Sequence, residues 1–172
     1  LELLEDAGQL DRFYAPVSGG GLMSGCATAL AALSPGAEIV AVEPQDANDT
    51  QQSLAAGERR KVPPPQTIAD GLRVRTPGQW TWTVLQRLLS RVETVTDDEM
   101  IDAMRFALHE LRLVLEPSGA ASLALALREG KDRCGVLLSG GNVDPALLAQ
   151  VAAGRGELCT GKRVRDRACG RR

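Results

Sequence analysis

Two stretches of this chain combine residue types that can hold an anion. In the first, the strand-like run Arg12-Phe13-Tyr14-Ala15-Pro16-Val17 is followed at once by Ser18-Gly19-Gly20-Gly21-Leu22-Met23. A strand that turns directly into a helix leaves the first N–H groups of that helix without partners, and the helix dipole adds positive potential at the same place. Glycine has no Cβ, so Gly19, Gly20 and Gly21 can take positive φ and let a ligand reach the backbone. The chemistry expected of Ser18 to Leu22 is a phosphate cradle. The second stretch repeats the grammar: the apolar run Cys134 to Leu138 ends in Ser139-Gly140-Gly141-Asn142. In an open parallel sheet, ligands bind beyond the carboxyl ends of the strands. Two such corners on one rim imply a single ligand gripped at two points, the alternative being two tight βα turns that hold nothing.

A third set of residues suits a different ligand. Glu43 ends an apolar run, the Ala47 carbonyl lies four residues on, and Asp49 follows two residues later. Two carboxylates and a carbonyl can converge on one hard cation, with waters completing its shell; acidic loops are also commonly just solvated. Glu43 further stands where a ribose-binding acid would end the second strand of a dinucleotide fold. The G-x-G-x-x-G spacing is incomplete, however, because Ser24 occupies the third glycine position. A Rossmann-type nucleotide-binding module is therefore the alternative from pattern alone. His109, the one histidine, falls on the polar side of its helix and is expected in solvent.

The elements needed to position these groups can be read from periodicity. Leu22, Met23, Cys26, Ala27, Leu30 and Ala31 recur at helical spacing, and Ala37 to Val42 forms the next strand. Strand, helix and strand in so few residues make a βαβ unit with parallel strands. A short helix is expected near Gln51 to Ala56, then an extended passage through Pro63-Pro64-Pro65 and the loop Thr67 to Gly71. A helix from Gln79 to Leu89 with Trp80, Val84, Leu85 and Leu88 inward precedes a strand from Arg91 to Val95. Thr96-Asp97-Asp98-Glu99 reads as a capping box opening a helix with Met100, Ile101, Met104, Leu108 and Leu111 on its apolar face. Ser118 is the expected N-cap of a helix over Ala120 to Leu127, and Asp144 to Ala152 is the last helix. The alternation predicts an α/β fold: an open, mostly parallel sheet with helices on both faces.

Composition narrows the partners. The chain has 172 residues, 44% hydrophobic content and a net charge of −2, an ordinary balance that gives no reason to expect a nucleic-acid partner. No apolar run nears the roughly 18 residues of a membrane span, and no signal-peptide pattern opens the chain, so a cytoplasmic protein with no membrane partner is expected. Cys26, Cys134, Cys159 and Cys169 lack metal-binding or redox spacing and read as buried or incidental thiols. Residues 153–172 hold six Arg and one Lys among little apolar material and are expected to be a disordered basic tail.

Taken together, Pro16 to Leu22, Val42-Glu43-Pro44, Thr67-Ile68-Ala69-Asp70-Gly71, Leu115-Glu116-Pro117-Ser118-Gly119-Ala120 and Leu138 to Asn142 resemble, in order and rough spacing, the fold-type II pyridoxal-phosphate enzymes. The likeness is most to threonine/serine dehydratases and serine racemase. It covers Leu1 to about Ala152, so residues 1–152 resemble the C-terminal portion of a tryptophan synthase β-like domain. The resemblance implies that Ser18, Gly19, Gly20, Gly21 and Leu22 hold the phosphate of pyridoxal 5′-phosphate through backbone N–H groups, Ser18 standing where many members have glycine. It implies that Ser139 meets the pyridine nitrogen, and that Gly71 and Glu116 line the ring and substrate side. Glu116 reads equally well as an outer cap of its helix.

The same resemblance matches Glu43, Ala47 and Asp49 to the magnesium or calcium site of serine racemase and hydroxyaspartate dehydratase types. The activity it implies is dehydration of L-threonine or L-serine, small amino-acid substrates, to a 2-oxo acid and ammonia. Serine racemase or threo-3-hydroxyaspartate dehydratase is the alternative, and a non-catalytic remnant the alternative of another class. The family's covalent cofactor lysine has no counterpart here, since Lys61, Lys131 and Lys162 lie in unrelated contexts. The resemblance thus implies the C-terminal half of an enzyme that is a homodimer at full length, inactive as this chain alone.

Overall fold

The computed structural model describes residues 1–130 and 133–154. Lys131, Lys162, Cys159, Cys169 and almost all of the expected tail over 153–172 lie outside the described residues. In chain order the elements are α1 (Glu2–Ala7), β1 (Arg12–Pro16), α2 (Gly21–Leu33), β2 (Glu38–Pro44), α3 (Asp49–Ala56), α4 (Gln79–Leu88), β3 (Arg91–Val95), α5 (Asp97–Phe106), α6 (Pro117–Glu129), β4 (Cys134–Val136) and α7 (Pro145–Ala153). Short 3-10 turns cover Gln45–Ala47 and Asp70–Leu72. Among the described residues no helix is long and apolar enough to cross a membrane.

The four strands form one parallel sheet in the order β3-β2-β1-β4. Side chains alternate across it. Tyr14, Val40 and Val42 face a core built with α5, α6 and Val151 of α7. Phe13, Ala15, Ile39 and Ala41 face the other core with α2 and α4. Helices therefore cover both faces, and the strands are apolar on both sides as a doubly covered parallel sheet requires.

The strands also give the sheet two chemically different rims. At the amino ends, Arg12, Glu38 and Arg91 meet Glu129 from the end of α6. Arg12 pairs with Glu38 and, at 2.7 Å, with Glu129, while Arg91 reaches both Glu38 and Glu129 at 2.7 Å. The Tyr14 hydroxyl donates to Glu129 at 2.6 Å. Burial, joined by the carboxylate of Glu129, pushes the Tyr14 phenol up to about 12, so it stays a donor. The glycine corners lie at the other rim, beyond the carboxyl ends of β1 and β4.

Several elements differ from the sequence reading. Helix α6 starts at Pro117 with Glu116 at the N-cap; proline's fixed φ suits the first helical position, and the Ser118 hydroxyl is engaged elsewhere. Trp80 is 83% exposed while Trp82 and Leu85 are buried, because the inner face of α4 is set by its contact with Gly20. Helix α5 keeps its capping box, with Glu99 N–H donating to Thr96 Oγ1 at 3.2 Å and Thr96 N–H to the Glu99 carboxylate at 2.7 Å. Beyond Phe106 it widens into a π turn over Ala107–Leu111, closed by Arg112 at φ 59°. Leu111 is thereby turned out to solvent at 43% exposure, and His109 is exposed on the same turn. The last strand stops at Val136, although Leu137 N–H still donates to the Tyr14 carbonyl at 2.9 Å.

Candidate functional site

Because β1 and β4 are parallel neighbours paired from Arg12↔Cys134 to Tyr14↔Val136, their exits fall side by side on one rim. The structure brings Ser18, Gly19, Gly20, Gly21, Leu22, Gly71, Glu116 and Ser139, together with Pro16, Met23, Leu72 and Ser118, around a single cavity of about 280 Å³. Residues separated by over a hundred positions thus share one opening. Every residue expected to contact a cofactor lines it.

On the β1 side the Val17 N–H still donates to the Val42 carbonyl at 2.8 Å, so the chain leaves the sheet at a fixed point. Of the three glycines, each able to take positive φ, only Gly20 does so, at 92°. A Cβ on Gly20 would stand 2.8 Å from both Leu85 Cδ1 and Thr81 Oγ1, whereas Gly19 and Gly21 have open space around them. Among the described residues no side chain caps α2, so the N–H groups at its start are open to a ligand. A left-handed residue followed by a helical one turns successive N–H groups to one side, the concave arrangement that binds anions.

The opposite wall is organised by the start of α6. The Gly71 N–H donates to Ser118 Oγ at 3.0 Å, and a Cβ on Gly71 would stand 3.0 Å from the same oxygen. The Glu116 N–H donates to the Gly140 carbonyl at 3.0 Å, and the Glu116 carboxylate lies against Gly140. A Cβ on Gly119 would stand 2.5 Å from the Gly140 carbonyl oxygen. One helical turn therefore seats both the Gly71 loop and the Ser139 corner. The sequence reading misses Ser118 as a wall residue by taking it for a cap. Its place in the motif is the available signal.

The acidic set lies on the same rim, at the end of β2. Glu43 is fully buried and accepts from Thr50 N–H at 3.2 Å and Gln51 N–H at 2.8 Å. Its carboxylate thus faces the start of α3, not an open crevice where a ribose would sit. Asp49 is 1% exposed, and among the described residues neither of its carboxylate oxygens nor the Thr50 hydroxyl has a hydrogen-bond partner. Burial pushes Glu43 up to about 8, with the nearby Asp49 adding to it against the two N–H donors, and burial pushes Asp49 up to about 7. Buried carboxyls without partners are costly, and a cation would supply what they lack. Among the described residues no three His, Cys, Asp or Glu side chains converge. Two buried carboxylates, with the buried Ala47 in the turn between them along the chain, are residue types that suit a hard, water-sharing cation.

Lys61 is exposed and lines no part of the cavity. Cys26 and Cys134 are half-buried, outside the cavity lining.

Fold and site define a parallel α/β domain with a cavity between two glycine corners beyond the carboxyl ends of its strands. Comparison with known proteins extends that description. The pyridoxal-phosphate dependent enzyme family matches residues 1–140, and this chain belongs to it.

A Saccharomyces cerevisiae L-threo-3-hydroxyaspartate ammonia-lyase is 39% identical over 158 residues, which cover 90% of this chain and 48% of that protein. The structure of maize serine racemase superposes with a TM-score of 0.81 at 42% identity, covering 87% of this chain and 49% of that one. That of T.th. threonine deaminase gives 0.80 at 39% identity, covering 83% and 51%. The chain spans about half the length of the relatives it matches.

Proposed function

We propose that residues 1–152 hold pyridoxal 5′-phosphate for an ammonia-lyase that dehydrates L-threonine or L-serine to a 2-oxo acid and ammonia. The observation that carries this reading is the convergence of eight residues from four separated motifs on one cavity. Ser18 to Leu22 would hold the phosphate with backbone N–H groups and the end of the α2 dipole. Gly71, which has no side chain, would leave room for the flat ring, and Ser139 would offer its hydroxyl to the ring nitrogen. A hydroxyl cannot keep that nitrogen protonated as a carboxylate would. When bound, the cofactor supplies an electron sink for the α-carbon, weakened here by the neutral nitrogen, which suits loss of the β-hydroxyl better than transamination. Glu116 would stand at the substrate side of the opening.

The buried Glu43 and Asp49 pair favours a narrower second reading. With the Ala47 carbonyl these residues would hold magnesium or calcium, matching the serine racemase and threo-3-hydroxyaspartate dehydratase subtypes to which this sequence is similar. The proton transfers of the reaction need an amine base. None of the cavity residues is a lysine, so this chain alone is expected to bind the ligand without turning over substrate.

Binding separates these statements. Pyridoxine 5′-phosphate and pyridoxine lack the aldehyde that reacts with surface lysines, and are titrated against the full chain by calorimetry. Tighter binding of the phosphate ester, displaced by inorganic phosphate, is expected. Equal affinity for both compounds would remove the cradle from the reading, and release of 2-oxo acid from L-threonine or L-serine by this chain would overturn the assignment of the base.

A further inference from the structure

Three consecutive glycines can arrange N–H groups around an anion, but they cannot hold that arrangement unaided. With no Cβ on either side, the peptide plane between Gly19 and Gly20 can rotate at little cost. Each rotation would turn a donor away and present a carbonyl instead, since C=O and N–H of one trans peptide point in opposite directions. Something outside the loop must choose the orientation.

The start of α4 is docked on the reverse side of this loop. Thr81 Oγ1 donates to the Gly19 carbonyl at 2.5 Å, and the Gly78 N–H donates to the same oxygen at 3.1 Å. The Thr81 hydroxyl also lies 3.2 Å from the Gly78 carbonyl, but it has a single proton to give, and the Gly19 contact is the shorter. A Cβ on Gly78 would stand 2.7 Å from the Gly19 oxygen, so the approach is backbone to backbone. Ser24 of α2 adds a contact to the Thr81 carbonyl at 3.5 Å. Thr81 is half-buried and does not line the cavity; it can act only through Gly19.

We propose that Thr81 is the positioning residue of the cradle: by holding the Gly19 carbonyl from behind, its hydroxyl keeps the Gly20 N–H turned away from α4 and sets the preference for a phosphorylated ligand. This rests on the reading that Ser18 to Leu22 hold a phosphate. The hydroxyl is needed, and the methyl is not.

The experiment compares dissociation constants of pyridoxine 5′-phosphate and pyridoxine for the full chain and its variants, with circular dichroism as the check of fold. Thr81→Val keeps the shape and removes the donor. It is expected to erode the phosphate preference about tenfold, the worth of one hydrogen bond to a peptide, while leaving pyridoxine binding alone. Thr81→Ser is expected to restore the preference. Thr83→Val, which removes a hydroxyl that donates to the Trp80 carbonyl on the exposed face, is expected to change nothing.

A folded Thr81→Val that retains the full preference overturns the proposal while leaving the phosphate reading intact. If Thr81→Val does not fold, Thr81→Ala against Thr81→Ser decides on the same criterion. If neither hydroxyl-free variant folds, the hydroxyl serves the fold and not the cradle, and the proposal falls. A wild-type chain with no preference for the phosphate ester removes the phosphate reading and this inference with it.

Discussion

Glu116 and Gly140 are fitted to each other twice over: the Glu116 N–H donates to the Gly140 carbonyl at 3.0 Å, and the Glu116 carboxylate occupies the side of Gly140 where a Cβ would be. The two contacts make different predictions. The carboxylate is the far end of a flexible side chain, so Gly140→Ala displaces Glu116 from the cavity wall at little cost in stability, within about 0.5 kcal/mol, the range of ordinary tolerated substitutions. A Cβ on Gly119 would instead stand 2.5 and 2.8 Å from the backbone of Gly140, which cannot swing aside. Gly119→Ala is expected to cost about 1–3 kcal/mol by overpacking. Urea unfolding of the two variants side by side checks the order; equal losses would mean the corner is not seated as described.

The triple glycine divides in the same way. Gly20→Ala combines a left-handed φ of 92° with collisions at 2.8 Å against Thr81 and Leu85, so a loss of about 2–4 kcal/mol is expected from strain and crowding together. Gly21 lies in open space at the first position of α2. Gly21→Ala should leave the melting temperature within a few degrees, or raise it slightly because alanine favours a helix. If Gly20→Ala proves as stable as wild type, the cradle does not have this backbone.

The two corners were legible in the sequence because they depend on local chemistry: an apolar run, then glycine, then helical periodicity. Their meeting at one rim was legible too, since parallel strands can only exit on the same side. Local patterns could not show what holds the corners. Trp80 reads as a core residue on a helical wheel and is exposed, because Gly20 dictates which side of α4 turns inward. Leu111 sits in phase with Met100 and Met104, yet the π turn after Phe106 carries it out of that phase. Thr81 carries no sequence signal for its role and Ser118 only its place in a motif, because both roles arise from contacts 62 and 47 positions away along the chain.

The acidic pair yields a pH-dependent prediction. Burial raises Glu43 from 4.5 to about 8 and Asp49 from 3.8 to about 7, so both are more easily protonated folded than unfolded. Their contribution to stability is then fully present below the ordinary carboxylate range and lost as pH rises through about 7 and about 8. Without divalent cations the melting temperature should fall over that window. A cation held there would bind the ionised pair, so the stabilisation given by millimolar magnesium or calcium should grow over the same range, and Glu43→Gln should abolish it. A melting temperature indifferent to both ions at pH 8 would leave the pair as buried acids and nothing more.

At the opposite rim the same kind of residue behaves in the reverse sense. Glu129 is partly desolvated, but hydrogen bonds from Tyr14 and Arg91 outweigh that and hold it below its usual range, as Arg91 and Arg12 do for Glu38. The stability these two carboxylates contribute is present above their unfolded values and lost as pH falls through the depressed ones. Glu129→Gln takes the charge from a group that pairs with Arg12 and Arg91 at 2.7 Å and leaves two guanidinium groups competing for Glu38 and Glu93. A loss of about 1–3 kcal/mol is expected, the cost of disrupting charge-assisted hydrogen bonds that are only partly exposed. Because β1 separates this cluster from the glycine corners, the variant should keep the wild-type preference for pyridoxine 5′-phosphate over pyridoxine. Measured together, urea unfolding and that binding ratio distinguish a rim that holds the sheet from one that shapes the cavity; a Glu129→Gln chain with unchanged stability but altered binding would reverse the assignment of the two rims.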